Sequence, residues 1–128
     1  MRKYSKKGLE KRKQEREGFK EFYEENIKKI KKEHLVCQEC GCKLIGDVSE
    51  VAHILEKQKF KSIACNFKNI LYLCSWKSGG NNCHSVFDGS VEQLQSMKIF
   101  EQTKETVEKL LEEVEEEYNY KILDRWQL

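Results

Sequence analysis

Apolar side chains recur every three or four positions along the first quarter of the chain. Five residues form this pattern: Phe19, Phe22, Tyr23, Ile27 and Ile30. Residues three and four apart lie on one face of an α-helix. The segment contains no proline and many strong helix formers. The pattern therefore predicts an amphipathic helix from residue 8 to about residue 34.

The pattern changes after Cys37, where glycines and shorter apolar runs replace the helical repeat. In DVSEVAHI, β-branched residues recur near alternate positions, which predicts a strand after a hairpin or loop. LEKQKFKSIACNF is interpreted as an irregular connection, and NILYLC as a short buried strand or turn. SWKSGGNN has the composition of a loop, and CHSVFDGS predicts a short helix that ends at Gly89.

A long apolar stripe follows Ser90, which fits a capping box with Gln93. The stripe contains Leu94, Met97, Val107, Leu110, Leu111, Val114 and Tyr118, with an interruption near Gln102. It predicts one helix from Ser90 to about Tyr118. This helix would pack on the core of its own chain or pair with a second copy, so a homodimer through the C-terminal helix is an open alternative.

The composition and charge favour a single domain in three parts. Hydrophobic residues make up 38% and charged residues 36% of the 128 residues, and no apolar run is long enough to cross a membrane. Residues 1–34 form a basic helical arm, 35–90 the core, and 91–128 an acidic C-terminal part. The arm would contact phosphates or pair with the acidic part. No secretory signal is recognisable, so we expect an intracellular protein.

The cysteines predict a structural zinc site. Cys37 and Cys40 are separated by two residues and followed by Gly41, a spacing that lets two sulfurs meet one ion. Cys74 and Cys83 would complete four thiolate ligands if the wide loop between them bulges outward. A disulfide framework is the alternative, although it is less expected in a reducing compartment. Two thiols are left over, Cys42 and Cys65; Cys42 could replace Cys40 as a ligand.

The order of these residues resembles that of the HNH endonucleases, the ββα-metal nucleases, in the form that a four-cysteine zinc site braces. A cysteine pair is followed by His53 in AHI, by Asn69 before an apolar run, and by Cys83 with His84. The resemblance covers residues 35–89. It implies an α+β fold: a small zinc-braced, treble-clef-like ββα-metal core flanked by N-terminal and C-terminal α-helices.

The resemblance also implies roles for individual residues. His53 would end a β-strand and be the general base that activates the attacking water. Asn69 would hold the loop that carries His53, and His84, on the short helix, would bind a catalytic ion. Asp88 lies four residues after His84, on the same helix face, and could hold the same ion. Mg(II), Mn(II), Ni(II) and Zn(II) would all suit this pair. The substrate would be DNA, and the cell bacterial or phage-infected.

Ala52 departs from the family pattern, in which an acidic metal ligand often precedes the first histidine. Glu50 would share a strand face with Ala52 and would reach the ion with its longer side chain, or Asp88 would suffice. If neither does, the chain would be a catalytically inactive zinc-finger module that binds DNA or a protein partner. Four lysines are candidate nucleic-acid contacts: Lys57, Lys59, Lys61 and Lys77.

Overall fold

The structure is a computed structural model, which describes residues 6–30 and 32–128. Four α-helices and two strands lie in these ranges: α1 (Lys6–Lys28), β1 (Val51–His53), β2 (Ile70–Tyr72), α2 (Cys83–Phe87), α3 (Val91–Gln95) and α4 (Phe100–Leu111). A 3-10 helix, Tyr120–Trp126, ends the chain. The predicted α+β class is therefore confirmed. None of the helices described is both long and apolar enough to cross a membrane.

The sheet is one antiparallel pair. Val51 lies opposite Tyr72, Ala52 opposite Leu71, and His53 opposite Ile70. The strand predicted from DVSEVAHI is only half correct, because Val48–Glu50 form a 3-10 turn that the Asp47 side chain caps. Asp47 supplies a side-chain acceptor for orphan backbone N–H groups, and this favours a turn over an extended chain.

Glu50 is buried in that turn, with 1% of its surface exposed. Its carboxylate accepts hydrogen bonds from the backbone N–H groups of Ile45, Gly46 (2.7 Å) and Asp47 (2.9 Å), and from the Ser78 hydroxyl. The suggestion that Glu50 reaches a catalytic ion is therefore wrong. The residue lies before the strand, so the alternation that would place it beside Ala52 does not apply. Its carboxylate instead connects the loop at residues 45–47 to the loop that contains Ser78.

The N-terminal helix packs on the sheet. Tyr23 of α1 forms a small buried cluster with Val51 and Ile70, and Phe19 and Phe22 pack against it. The helix ends at Lys28, earlier than predicted, and it begins by Lys6. Residues 1–5 of the predicted basic arm lie outside the described residues.

The C-terminal part is not the single helix that the apolar stripe predicted. α3 ends at Gln95 and α4 begins at Phe100. The Glu39 carboxylate accepts hydrogen bonds from the backbone N–H groups of Lys98 (2.9 Å) and Ile99 (3.0 Å). A carboxylate at these free donors stabilises the start of a new helix. A residue distant in sequence therefore fixes this break.

The apolar stripe faces the core of its own chain. Leu94, Met97, Val107 and Leu110 are buried there, and Leu111, Val114 and Tyr118 pack against it. Trp126 stacks on Phe100 at 5.7 Å between ring centroids, and the Arg125 guanidinium donates to the Phe87 carbonyl at 2.6 Å. The C-terminal segment is thus attached to α2. A homodimer through this segment stays a prediction.

We expect Glu50→Gln to lower the free energy of unfolding by about 1–3 kcal/mol, because an amide nitrogen would face backbone donors that the carboxylate now satisfies. Urea unfolding followed by circular dichroism measures the change. Glu108→Gln is the matched control, since Glu108 is exposed on α4, and we expect it to stay within about 0.5 kcal/mol. Equal stability of the two variants would contradict the structural role of Glu50.

Candidate metal centre and active site

The four predicted cysteine ligands come together. The sulfurs of Cys37, Cys40, Cys74 and Cys83 all lie within 4.8 Å of one another. Cys40 Sγ is 3.7 Å from Cys74 Sγ. Cys40 is exposed and the other three are buried. Four sulfurs around one point are the donor set of a structural zinc ion.

Backbone hydrogen bonds preform both halves of this cluster. In the first half, the Cys37 N–H donates to the Cys42 carbonyl at 2.8 Å, and Gly41 takes a left-handed φ of +79° that closes the turn. In the second half, the His84 N–H donates to the Cys74 carbonyl at 3.0 Å, which fixes the start of α2 beside the end of β2. The wide loop between Cys74 and Cys83 therefore does not separate their sulfurs.

The electrostatic surroundings of the sulfurs also favour metal binding. Backbone N–H groups point at two sulfurs: Cys40 N lies 3.5 Å from Cys37 Sγ, and Cys83 N lies 3.3 Å from Cys74 Sγ. Such donors stabilise thiolates, the form that binds metal. A bound zinc ion would close all four coordination positions with sulfur, and its role would be structural.

Cys42 borders the cluster as a further thiol. Burial, with hydrogen bonds to the Cys40 and Cys74 thiols, raises the pKa of Cys42 to about 12. Burial opposes ionisation of Cys40, but hydrogen bonds from Cys42, Cys37 and Cys74 outweigh it and lower the pKa of Cys40 to about 6. The Cys40 thiol therefore ionises more readily than the Cys42 thiol. Cys65 lies elsewhere, beside a cavity of about 290 Å³ that Phe19 also lines.

His53 ends strand β1, as predicted. Its Nε2 atom lies 3.0 Å from the Ala64 carbonyl oxygen, which can only accept a hydrogen bond. In the neutral ring Nε2 therefore carries the proton and Nδ1 carries a free lone pair. Burial lowers the pKa of His53 below its ordinary value. The ring is neutral at cellular pH and can accept a proton at Nδ1.

Asn69 holds the loop that follows His53. It is fully buried, its Oδ1 accepts from the Leu55 N–H at 2.8 Å, and its Nδ2 donates to the carbonyls of Leu55 (3.0 Å) and Ile63 (3.4 Å). These bonds connect the end of β1 to the turn before Ala64. Since Ala64 orients the His53 ring, Asn69 fixes the position of that ring indirectly.

His84 lies on α2, and Asp88 is the residue that caps the C-terminus of this helix. His84 Nδ1 lies 2.7 Å from the Ser49 carbonyl oxygen, and His84 Nε2 lies 3.1 Å from Asp88 Oδ2. The Ser49 carbonyl turns the ring so that Nε2 and the carboxylate face one point. The hydrogen bond with Asp88 raises the pKa of His84. An imidazole nitrogen and a carboxylate so placed could together hold a divalent ion, which would take the place of the hydrogen bond between them.

The two histidines open into one cavity of about 380 Å³, which Asp88 also lines. Glu56 and Tyr23 line it as well, and sequence reasoning missed both. Glu56 lies in the irregular connection, where no periodicity marks it. Tyr23 has the spacing of a helix-face residue, yet its hydroxyl is 3.2 Å from both ring nitrogens of His53.

The Tyr23 hydroxyl lies within hydrogen-bond distance of His53 Nδ1, at 3.2 Å, but off the axis of its lone pair. A point equidistant from both ring nitrogens lies on the axis of neither lone pair, because the two axes diverge from the ring. Burial raises the pKa of Tyr23 to about 12, so the group remains a neutral hydroxyl. Phe19 adds an edge-on contact to the His53 ring, at 5.8 Å between centroids. Helix α1 therefore supplies one wall of the cavity.

The four lysines predicted to contact DNA have different surroundings. Lys57 lines the cavity with the histidines, and its Nζ lies 4.7 Å above the Phe19 ring. The other three form ion pairs: Lys59 with Glu56, Lys61 with Glu15, and Lys77 with Asp47. A larger cavity of about 740 Å³ lies between β2 and α4, but no histidine lines it.

We expect Cys74→Ser to lose most of its zinc and at least about 3 kcal/mol of binding free energy, since four thiolates share a total of about 10–16 kcal/mol. Elemental analysis and thermal unfolding of the purified protein measure this. Cys65→Ser is the matched control and should keep one zinc per chain with an unchanged melting temperature. Full zinc occupancy in Cys74→Ser would contradict the proposed ligand set.

Comparison with protein-family models, with curated proteins and with solved structures finds no match for this chain. The inference of function therefore rests on the residues themselves. Two groups of them have defined chemistry: the four-cysteine cluster, and the pair of histidines that share one cavity.

Proposed function

We propose that this protein is a metal-dependent endonuclease of the HNH type that hydrolyses phosphodiester bonds in DNA. One observation carries the proposal: His53, at the end of a strand, and His84 with Asp88, on a helix, open into the same cavity. The order β1, β2, α2 and the four-cysteine cluster beside α2 support it. A general base facing an open pair of metal ligands suits hydrolysis of a phosphodiester.

His53 acts as the general base in this proposal. Its Nδ1 lone pair takes a proton from the attacking water, while Nε2 stays bonded to the Ala64 carbonyl. The carbonyl then stabilises the imidazolium that forms, because the ring already donates to it. Burial keeps the ring neutral before the reaction. A base must be neutral to act, so this environment suits the role.

His84 and Asp88 hold the catalytic ion. The ion would stabilise negative charge on the scissile phosphate and on the leaving oxygen. Ser49 keeps the His84 ring in place through Nδ1, so that Nε2 remains directed at the ion position. Lys57 adds a positive charge at the same cavity, where a phosphate would enter.

The missing acidic residue at position 52 does not weaken the proposal. Val51 and His53 line the cavity, and successive strand residues point to opposite faces. Ala52 is 1% exposed and lies in the core cluster, so a carboxylate there would face the core. Asp88, and Glu56 at the same cavity, are the carboxylates available to an ion.

A second candidate function is a zinc-braced binding module without activity. The exposed loop between Cys74 and Cys83 favours it: Trp76 is 74% exposed and Lys77 lies 5.3 Å above its ring. An aromatic face with a neighbouring cation can bind the bases and phosphates of nucleic acid. This function needs no base at His53.

We expect the purified protein to nick supercoiled plasmid with Mg(II) or Mn(II), and His53→Ala and His84→Ala each to slow nicking by about 100-fold or more. Gel analysis of the cleavage rate measures this. His34→Ala is the matched control, because His34 is an exposed histidine outside the cavity, and it should cleave at the native rate.

Two results would contradict the nuclease assignment. Equal cleavage by the native protein and His53→Ala would remove His53 as the base. DNA binding that weakens steeply with salt, without cleavage by any of the four candidate metals, would favour the binding module instead. Zinc content of each variant confirms that the fold is intact.

The pH dependence follows from the lowered pKa of His53. Cleavage needs the neutral ring, so the rate should rise with pH through the pKa of His53 and reach a plateau above it. Because burial lowers that pKa, the midpoint should lie below the ordinary value of about 6.5. Initial rates at saturating Mn(II), with saturation checked at each pH, measure the midpoint. A midpoint above about 6.5 would contradict a buried neutral base.

A further inference from the structure

Cys42 is a fifth thiol at the four-cysteine cluster. Its sulfur adjoins the set, because the Cβ position of Gly80 lies close to both Cys42 Sγ and Cys74 Sγ. It lies in the same tight turn as Cys37 and Cys40, because its carbonyl accepts the hydrogen bond from the Cys37 N–H. A structural zinc ion binds four thiolates. Cys42 lies beside this set of four, so the thiols outnumber those that the ion can bind.

Gly80 independently indicates that Cys42 Sγ occupies a defined position at the cluster. A Cβ atom on Gly80 would lie 2.6 Å from Cys42 Sγ and 3.4 Å from Cys74 Sγ. The second distance is an ordinary contact, whereas the first is a clash. The φ of Gly80 is not left-handed. Because Gly80 has no Cβ atom, there is room for the Cys42 sulfur next to the Cys74 sulfur.

Cys40 and Cys42 differ in their access to solvent. Cys40 is exposed and Cys42 is half-buried, while the other three thiols of the centre are buried. Cys40 is thus the ligand most open to water and to competing molecules. Cys40 is also the ligand that has the Cys42 thiol next to it in the same turn.

We propose that Cys42 is a reserve ligand of this metal centre that can replace Cys40. In the exchange, the bond from zinc to Cys40 breaks as a bond from zinc to Cys42 forms. The proton of the Cys42 thiol moves to Cys40, so the ion keeps four thiolates and the total charge does not change. The other three ligands, Cys37, Cys74 and Cys83, stay in place. This goes beyond the proposed nuclease function and does not depend on it.

Cobalt(II) substitution tests the exchange directly, because the visible absorption of tetrahedral cobalt depends on how many thiolates bind it. The purified full-length chain is loaded with Co(II) in four forms: native, Cys40→Ser, Cys42→Ser, and the double variant Cys40→Ser with Cys42→Ser. Cys65→Ser serves as the control for loss of a thiol outside the cluster. Zinc content and competition with a chelator measure affinity in parallel.

We expect Cys40→Ser to keep the four-thiolate spectrum and one zinc per chain. The double variant should show a three-thiolate spectrum and bind zinc at least about tenfold more weakly than Cys40→Ser. Cys42→Ser and Cys65→Ser should match the native protein. A three-thiolate spectrum in Cys40→Ser, with affinity equal to that of the double variant, would overturn the proposal.

Loss of metal and fold in Cys40→Ser but not in Cys42→Ser would also overturn the proposal. A change at Gly80 tests the same position independently, because it removes no thiol. Gly80→Ala would place a Cβ atom against Cys42 Sγ, so in the Cys40→Ser background it should weaken zinc binding, while in the native background it should leave the four-thiolate spectrum unchanged. Equal effects in the two backgrounds would contradict a role for Cys42.

Discussion

The convergence of four thiols is the constraint on which the rest of the structure depends. Their sulfurs come from a tight turn, from the segment just after β2 and from the first residue of α2. Each of these segments is too short to keep its conformation alone, since β2 has three residues and α2 has five. A metal bound to all four would hold the three segments in a fixed relation. In a domain of this size, binding free energy from a metal compensates for a small core.

The orientation of both candidate catalytic rings follows from backbone carbonyls near this centre. Ser49 and Ala64 each accept one ring hydrogen bond, at 2.7 Å from His84 and 3.0 Å from His53. Ser49 precedes Glu50, whose buried carboxylate joins the turn to Ser78 in the loop between Cys74 and Cys83. The turn that contains Ser49 and Glu50 is therefore bonded both to the loop between Cys74 and Cys83 and to the His84 ring. His53 follows the same turn in the chain.

The sequence predicted the features that depend on local spacing. The cysteine spacing indicated the cluster, His53 was expected at a strand end, and the Ser90 capping box is present. The features it missed depend on contacts between distant residues. The break before α4 needs Glu39, which lies about sixty positions away in the chain, and nothing in the apolar stripe signals a cap of that kind. Tyr23 likewise has only the spacing of a core residue.

The four-cysteine cluster and the proposed ligands of a catalytic ion share one short helix, and this affects how metal dependence can be interpreted. Cys83 belongs to the four-cysteine cluster and His84 is the next residue, with its backbone N–H bonded to the Cys74 carbonyl at 3.0 Å. Removing zinc would release the start of α2 and so move His84 and Asp88. A chelator strong enough to extract zinc would therefore abolish activity whether or not a second ion takes part in the reaction. Evidence for a catalytic ion must come from substitutions at His84 and Asp88 that leave zinc bound, because those alone separate the two centres.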